Sequence, residues 1–350
     1  EDRGGRSITL RPEGTAGVMR AVIEHGLDRG QLPVKVWYSG QFFRAERPQA
    51  GRYRQFYQVG VESIGLDDPA IDAEIIALAD TAFKNIGLKK YRLEITSLGD
   101  AQSRAAHEVD LVAFLKTLDL DEATQARAEI NPLRLFDDKR EEVQNKMSAA
   151  PILMDYLSDS SRENFAHVCS YLDALGIKYT LNPRMVRGLD YYTGTTFEFI
   201  HEDLGAQSGI GGGGRYDDLT ALFGLKGLSG VGISFGADRI YDVMTELELF
   251  PKELDRTLDV LFVNFGAEEG KYCLKLLQQV RNLGLAAELY PSAAKLQKQL
   301  KYANDRNVAY VVIIGEEEAA AGMLSLKNME AGTQEQLSSA DFLTKCGQLF

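Results

Sequence analysis

The chain predicts an antiparallel α+β domain interrupted by a helical insertion and followed by a small α/β domain with a mostly parallel sheet. Three observations carry this reading. Residues 34–65 read as two amphipathic strands around a polar turn. Residues 100–170 keep a helical, charged pattern with no strand of convincing length. After Pro251, short apolar runs alternate with amphipathic helices. With 350 residues, 45% hydrophobic and 26% charged, the chain can supply two or three domains with cores of their own. The predicted divisions are 1–99 with 171–250, then 100–170, then 256–350.

The first strand runs from Val34 to Arg44 and the second from Arg52 to Glu62, joined by Ala45–Gly51. Alternation places Arg54, Phe56, Gln58, Gly60 and Glu62 on one, polar face and Tyr57, Val59 and Val61 on a face that should be core. A glycine within the polar face suits a sheet that holds a ligand close to its backbone. Asp68-Pro69 supplies an N-cap and a first-turn proline for a helix whose apolar positions recur through Phe83 and end before Gly87. Strands return at Thr195–His201, and Ser229–Gly236 leads into a helix near Ala237. Beyond the boundary, 258–265, 286–290 and 308–315 read as strands, and 272–283 and 293–305 as helices.

Composition excludes several classes. Lys and Arg number 39 and Asp and Glu 51, a net charge of -12, so no global basic field attracts nucleic acid and any RNA contact must be local. The cysteines Cys169, Cys273 and Cys346 lie far apart and fit neither a disulfide framework nor a zinc spacing, which points to a reducing cytoplasm. The four histidines are equally scattered, so no metal site is expected. No apolar run approaches the length of a membrane span, and no membrane partner is expected.

The most informative stretch is Met185–Phe199, which sets Arg187, Asp190, Tyr191 and Tyr192 in a loop beside a strand: a cation for phosphate charge, with acceptor and donor groups for a small polar ligand. Arg44, Glu46, Arg47, Arg52 and Arg54 surround the turn of the first hairpin. Solvated charge is the commoner role for such arginines. Arg44, however, ends a strand that should be half buried, where an unpaired guanidinium is costly. A phosphate is a suitable partner, each charge-assisted bond contributing roughly 1.5 to 3 kcal/mol. Arg239 follows Gly230, Gly232 and Gly236; it reads as a second phosphate ligand or as a cap on a neighbouring helix. Gly209, Gly211 and Gly214 match a dinucleotide fingerprint, and with it an oxidoreductase. No buried parallel strand precedes them, so Gly211–Gly214 reads better as a flexible wall from which Arg215 or Tyr216 faces a pocket. Thr15 serves equally as a helix N-cap or a ligand group, while Glu13 and Glu62 together suit a cationic α-amino group.

Phe43-Arg44-Ala45-Glu46 and Gly236-Ala237-Asp238-Arg239 resemble the second and third signature motifs of class II aminoacyl-tRNA synthetases, which are short and degenerate. Arg187-Gly-Leu-Asp-Tyr-Tyr192 and Gly212-Gly-Gly-Arg-Tyr-Asp217 are similar to the two peptides peculiar to the bacterial-type histidyl-tRNA synthetases, and the resemblance covers essentially the whole chain. It implies a class II synthetase-like catalytic domain, an insertion contacting the tRNA acceptor arm, and an anticodon-binding domain at 256–350. It implies histidine–tRNA ligase activity with L-histidine, ATP and Mg2+, tRNA(His) as partner, a cytoplasmic location and a homodimer. The family's first motif, which builds the dimer interface, is expected upstream of Glu1.

By the same resemblance Arg44 holds the ATP α-phosphate, Glu46 the adenine amino group, Phe56 stacks on the adenine, and Arg52 and Arg239 contact the outer phosphates. Glu13, Thr15, Gln58 and Glu62 bind the histidine, with Tyr191, Tyr192 and Tyr216 around it, and Arg187 stabilises charge on the α-phosphate. Arg187, Arg44 and Arg239 are then the catalytic set. The alternative is a non-catalytic paralogue, a histidine-binding regulatory subunit of ATP phosphoribosyltransferase. That family generally lacks the C-terminal domain and tends to lose the arginine at the position of Arg187.

Overall fold

Side-chain alternation along the strands decides which face of the main sheet is core. The computed structural model of the chain describes residues 1–45, 52–189, 191–201, 208–224, 227–251, 254 and 258–349. Two compact units result, Glu1–Leu249 and Phe250–Phe350. In the first, the described residues form a seven-stranded sheet in the order β1 (Val34–Phe43), β2 (Gln55–Ile64), β7 (Gly230–Gly236), β6 (Gly209–Arg215), β5 (Thr193–His201), β3 (Tyr91–Ser97), β4 (Thr180–Leu181). Every neighbouring pair is antiparallel except β3 with β4.

One face of this sheet is apolar. Leu93, Ile95, Phe197, Phe199, Ile233 and Phe235 pack beneath α2 (Pro69–Asn85), which contributes Ile75, Ile76, Ala79 and Phe83. The fully buried Phe83 ring sits 5.1 Å from Phe199 and 5.4 Å from Phe235, and burial of a side chain this size adds about 1.5–3 kcal/mol. Helix α2 begins as its sequence predicts, with Pro69 in the first turn and Asp68 accepting from the Ala70 amide at 2.8 Å.

Within the span read as insertion, α3 (Ala101–Leu115), α4 (Glu122–Ile130) and α5 (Glu141–Lys146) enclose a core of their own around Leu111, Leu115, Leu135, Val143 and Met147. Helix α6 (Asp159–Ala174) belongs elsewhere: its stripe Phe165, Val168 and Leu172 enters the core under the sheet.

Two expectations are corrected here. Tyr57 and Val59 point to the helical side but stay 46% and 37% exposed, because they lie toward the sheet's edge where the helical layer stops short. Gly211–Gly214 is a wall of the site cavity at Gly211 and Gly212, but not a flexible one: it is the middle of β6, paired on both sides. A Cβ on Gly213 would strike the Gly232 carbonyl, so the strand needs glycine to lie this close to β7.

Arg215 is the third correction. It ends β6 on the helical side, away from any ligand pocket, with only 2% of its surface exposed. It pairs with Asp72 in the first turn of α2, with Asp67 at 3.0 Å and Asp217 at 3.2 Å, and donates to the Asp68 carbonyl at 3.1 Å. Burial works against its charge, but Asp72, Asp217 and Asp67 outweigh that and hold its pKa above the ordinary value. The cluster fastens the start of α2 to the sheet.

The second unit has five strands among its described residues, ordered β12 (Gln334–Ser338), β11 (Met323–Asn328), β10 (Tyr310–Ile313), β8 (Val260–Phe262), β9 (Ala287–Leu289). The trio β10–β8–β9 is parallel, as the strand–helix alternation predicts, and β11 and β12 extend it antiparallel. Both faces are covered. Phe262 packs with α8 (Ala267–Asn282) and α11 (Ser339–Leu349), while Leu261 and Val263 join Ala303 of α9 (Leu296–Asp305).

Replacing Arg215 by Ala leaves Asp72 buried without its partner and should lower the unfolding free energy by about 3–5 kcal/mol. In urea titrations the Asp72→Leu/Arg215→Met double variant should lose much less than the single one. Equal losses would mean that the ion pair is not what Arg215 contributes.

Candidate active site

The opposite face of the main sheet is built from small and polar residues. Strand register sets Tyr38, Gly60, Ser234, Gly212 and Glu198 in one row across β1, β2, β7, β6 and β5. The glycines leave room for side chains to lie flat on the sheet: the Tyr38 ring occupies the space a Cβ on Gly60 would take, and the Arg187 guanidinium that of a Cβ on Gly212.

Glu62 lies on the same face of the sheet, over Gly232, at 1% exposure. Its carboxylate accepts from Tyr216 at 2.6 Å, from Thr15 at 2.8 Å and from Tyr38 at 3.2 Å. Burial pushes its pKa up to about 7 against the pull of those three hydroxyls, with Glu13 adding to the rise. Burial and the neighbouring Glu62 likewise raise the Tyr38 and Tyr216 hydroxyls, so both stay protonated donors. A Cβ on Gly232 would sit on the Glu62 carboxylate, and one on Gly230 on the Tyr216 ring.

Helix α1 (Thr15–Glu24) starts beside this cluster, and its cap residue is Gly14, not Thr15. Thr15 is the first helical residue and spends its hydroxyl on Glu62. Glu13 accepts from the Ala16 amide with both oxygens, at 3.1 and 3.2 Å, and from the Tyr191 hydroxyl at 3.3 Å. A carboxylate at a helix N-terminus is stabilised by the dipole and retains lone pairs for a cation.

Arg187 is largely buried. Its guanidinium carbon is 5.6 Å from the centre of the Tyr192 ring, and Nη1 is 3.5 Å from Glu198 Oε2. Burial opposes its charge, but Tyr192 and Glu198 outweigh it and keep the pKa above the ordinary value. Its Nε is buried and donates to no group among the described residues. The Tyr191 and Tyr192 rings meet at 5.0 Å, and burial raises both hydroxyls.

At the other end, Arg44 Nε donates to the Pro12 carbonyl at 3.0 Å while its guanidinium lies 4.9 Å from the centre of the Phe56 ring. Arg239, from the first turn of α7 (Ala237–Glu246), reaches the Gly209 carbonyl at 2.7 Å. Asp238 accepts from the Tyr57 amide at 2.6 Å and ties α7 to β2.

One cavity of about 210 Å³ gathers most of the predicted residues on its wall: Glu13, Thr15, Arg44, Arg52, Phe56, Gln58, Arg187, Tyr191, Tyr192 and Arg239. Glu62 and Tyr216 are not on that wall; they lie one layer below and reach it through Thr15 and Tyr38. Glu46 and Asp190 fall outside the described residues. Sequence reasoning missed Glu198, Ser234 and Asp238, which do line the cavity, and Tyr38 beneath it. The signal for Glu198 is a lone glutamate between Phe197 and Phe199 on an apolar strand.

Glu62 makes stability depend on pH. Between about pH 4.5 and 7 the folded state keeps a proton that the unfolded state has shed, so stability falls as pH rises through that window and is level above it. The pKa difference corresponds to about 3 kcal/mol. Denaturation of the protein and of Glu62→Gln at pH 5 and pH 8 should show this decline missing from the variant; an identical decline in both would refute the assignment.

A family model described as histidyl-tRNA synthetase matches residues 1–240, and one described as anticodon binding domain matches residues 259–349. A histidine–tRNA ligase of Corynebacterium urealyticum is 53% identical over 343 residues, 98% of this chain and 80% of that protein. One from Rhodococcus opacus is 53% identical over 350 residues, 99% of this chain and 82% of that protein. The crystal structure of apo histidyl-tRNA synthetase from S. aureus superposes with a TM-score of 0.81 at 33% identity, covering 99% of this chain and 85% of that one. Matched along nearly its whole length by models and relatives that agree, and carrying Arg187, Tyr191 and Tyr192 on one cavity wall, the chain belongs to the histidyl-tRNA synthetase family.

Proposed function

We propose that the chain is a histidine–tRNA ligase, which activates L-histidine with ATP and transfers it to the 3′ end of tRNA(His). The observation that carries this reading is the largely buried Arg187 guanidinium on the wall of a cavity that also holds Arg44, Arg52 and Arg239. Four guanidinium groups around one small cavity, those of Arg44, Arg52, Arg187 and Arg239, suit a triphosphate, and Glu13 beside Thr15 and Tyr191 suits the α-ammonium of an amino acid. Gln58 and the Tyr191–Tyr192 pair are left for the imidazole. Glu62 and Tyr216 orient the Thr15 and Tyr38 hydroxyls from below.

A histidine carboxylate oxygen attacks the α-phosphorus, the bond to the bridging oxygen breaks, and pyrophosphate leaves with the electron pair. The terminal ribose hydroxyl of the tRNA then attacks the adenylate carbonyl and AMP departs. Neither step needs a protein nucleophile, so catalysis is alignment and charge stabilisation, and Arg187 acts where low exposure strengthens its field. Arg44 has two tasks in this scheme. Leaving Phe56 for the α-phosphate clears the ring face on which an adenine stacks, so one movement serves base and phosphate together.

Mg2+ would accompany the nucleotide and neutralise phosphate charge. Glu198 and Asp238, on the cavity wall, are the carboxylates that would help hold it. Trp37, 73% exposed on the edge strand β1, offers an apolar surface that supports a homodimer. The unpaired thiols of Cys169, Cys273 and Cys346 support a cytoplasmic location. We assign catalysis to residues 1–99 and 171–250 together with α6, acceptor-arm contact to the rest of 100–170 and anticodon recognition to 256–350.

Arg187→Ala should slow histidine-dependent exchange of pyrophosphate into ATP by two orders of magnitude or more, with histidine affinity within a few-fold, because the gain from Arg187 arises in the transition state. A variant that binds histidine poorly but exchanges at full rate when saturated would remove Arg187 from its role. If the unaltered protein binds histidine and is silent in this assay, it is the regulatory paralogue instead. Deleting residues 256–350 should depress tRNA charging far more than adenylate formation, and equal losses would give that unit a folding role only.

A further inference from the structure

Arg187, Leu189 and Tyr192 form a partition between two cavities. They line the site cavity and also a second one of about 290 Å³ on the insertion side, walled by His107, Leu111, Leu133 and Phe136. With open volume on both sides, packing alone does not fix the place of the Arg187 side chain. Polar ties hold the partition as well: Glu198 pairs with Arg187 from the sheet at 3.5 Å, and the others come from the insertion. Arg134, in the turn Pro132–Asp137, donates Nη2 to the Gly188 carbonyl at 2.8 Å, one residue beyond Arg187. Arg104 of α3 donates to the Tyr192 carbonyl at 3.1 Å and pairs with Asp218 at 3.1 Å. On the near side of the loop the bond runs the other way, Arg184 donating to the Ser148 carbonyl at 2.6 Å.

We propose that Arg134 is a positioning residue for the activation step: by gripping the Gly188 carbonyl from the insertion it sets Arg187 against the reacting phosphate, with Arg104 fixing the far end of the same segment. A guanidinium suits this task because its charge-assisted bond to a carbonyl is directional and persists in partial solvent. Arg134 touches no reacting atom. Loss of its bond lets Arg187 drift, and displacements of about 1 Å at a reacting centre cost up to about a hundred-fold in rate. The inference rests on the role given to Arg187 above.

The test is a double-mutant cycle in histidine-dependent pyrophosphate exchange on the full chain, with active sites counted by adenylate burst and folding checked by thermal melt. Arg134→Ala should lower kcat about ten-fold or more while KM for histidine and ATP stays within about two-fold, and Arg134→Lys, which keeps one donor, should recover part of the rate. In an Arg187→Ala background the same Arg134→Ala change should cost less than about two-fold, since its effect passes through Arg187. A slowed Arg187→Ala beside a full-rate Arg134→Ala overturns the proposal alone, and so do losses that multiply fully in the double variant. An Arg187→Ala protein of full rate overturns the reading of Arg187 and this proposal with it. A merely structural Arg134 would lower the melting temperature and the burst amplitude and leave kcat per active site unchanged.

Discussion

A carboxylate at 1% exposure in the middle of a sheet is the constraint on which the rest of the site depends. Glu62 is tolerable there only because three hydroxyls converge on it, and each comes from a different element: Thr15 from α1, Tyr38 from β1 and Tyr216 from just beyond β6. Those donors need space, and the glycines at 60, 230 and 232 provide it. Loss of any one member would strand a buried polar atom in the others. The arrangement therefore holds the Glu62 carboxylate and the neighbouring cavity wall at once, and Thr15 meets a ligand already oriented.

The two faces of the sheet divide the work. Phe83, Phe199 and Phe235 form a rigid aromatic layer on the helical side, while the ligand side is nearly bare of bulk at Gly60, Gly212 and Ser234. A bare face exposes backbone to the ligand, and such a strand pair would be weak on its own. The apolar layer and the Arg215 cluster supply what the glycines lack, so stability resides on one side and recognition on the other.

Much of this was readable from the chain. The β1–β2 pair, the Asp68–Pro69 start of α2, the glycine-spaced β7 entering α7, and the alternation after Pro251 all carry strong local signals. Strand β6 did not, because period-two reading needs side chains and Gly211–Gly214 has none; its strand character comes from pairing with β5 and β7. Strands β11 and β12 escaped for a related reason, being largely polar in Ser325–Asn328 and Gln334–Gln336. Alternation told which side of β2 Glu62 occupies but not how deep, since depth is set by Tyr216 and Thr15, far away in sequence. Nor could it foresee that Arg44 would rest on Phe56, or that Glu198 would face Arg187.

Trp37 is the one tryptophan in the chain and is 73% exposed on β1, next to the Tyr38 whose hydroxyl rests on Glu62. Its emission, excited apart from the fifteen tyrosines, reports solvent access at the sheet's edge. The same indole sits one peptide bond from the buried cluster. The fold thus carries a built-in optical label that reads coverage of its outer edge directly.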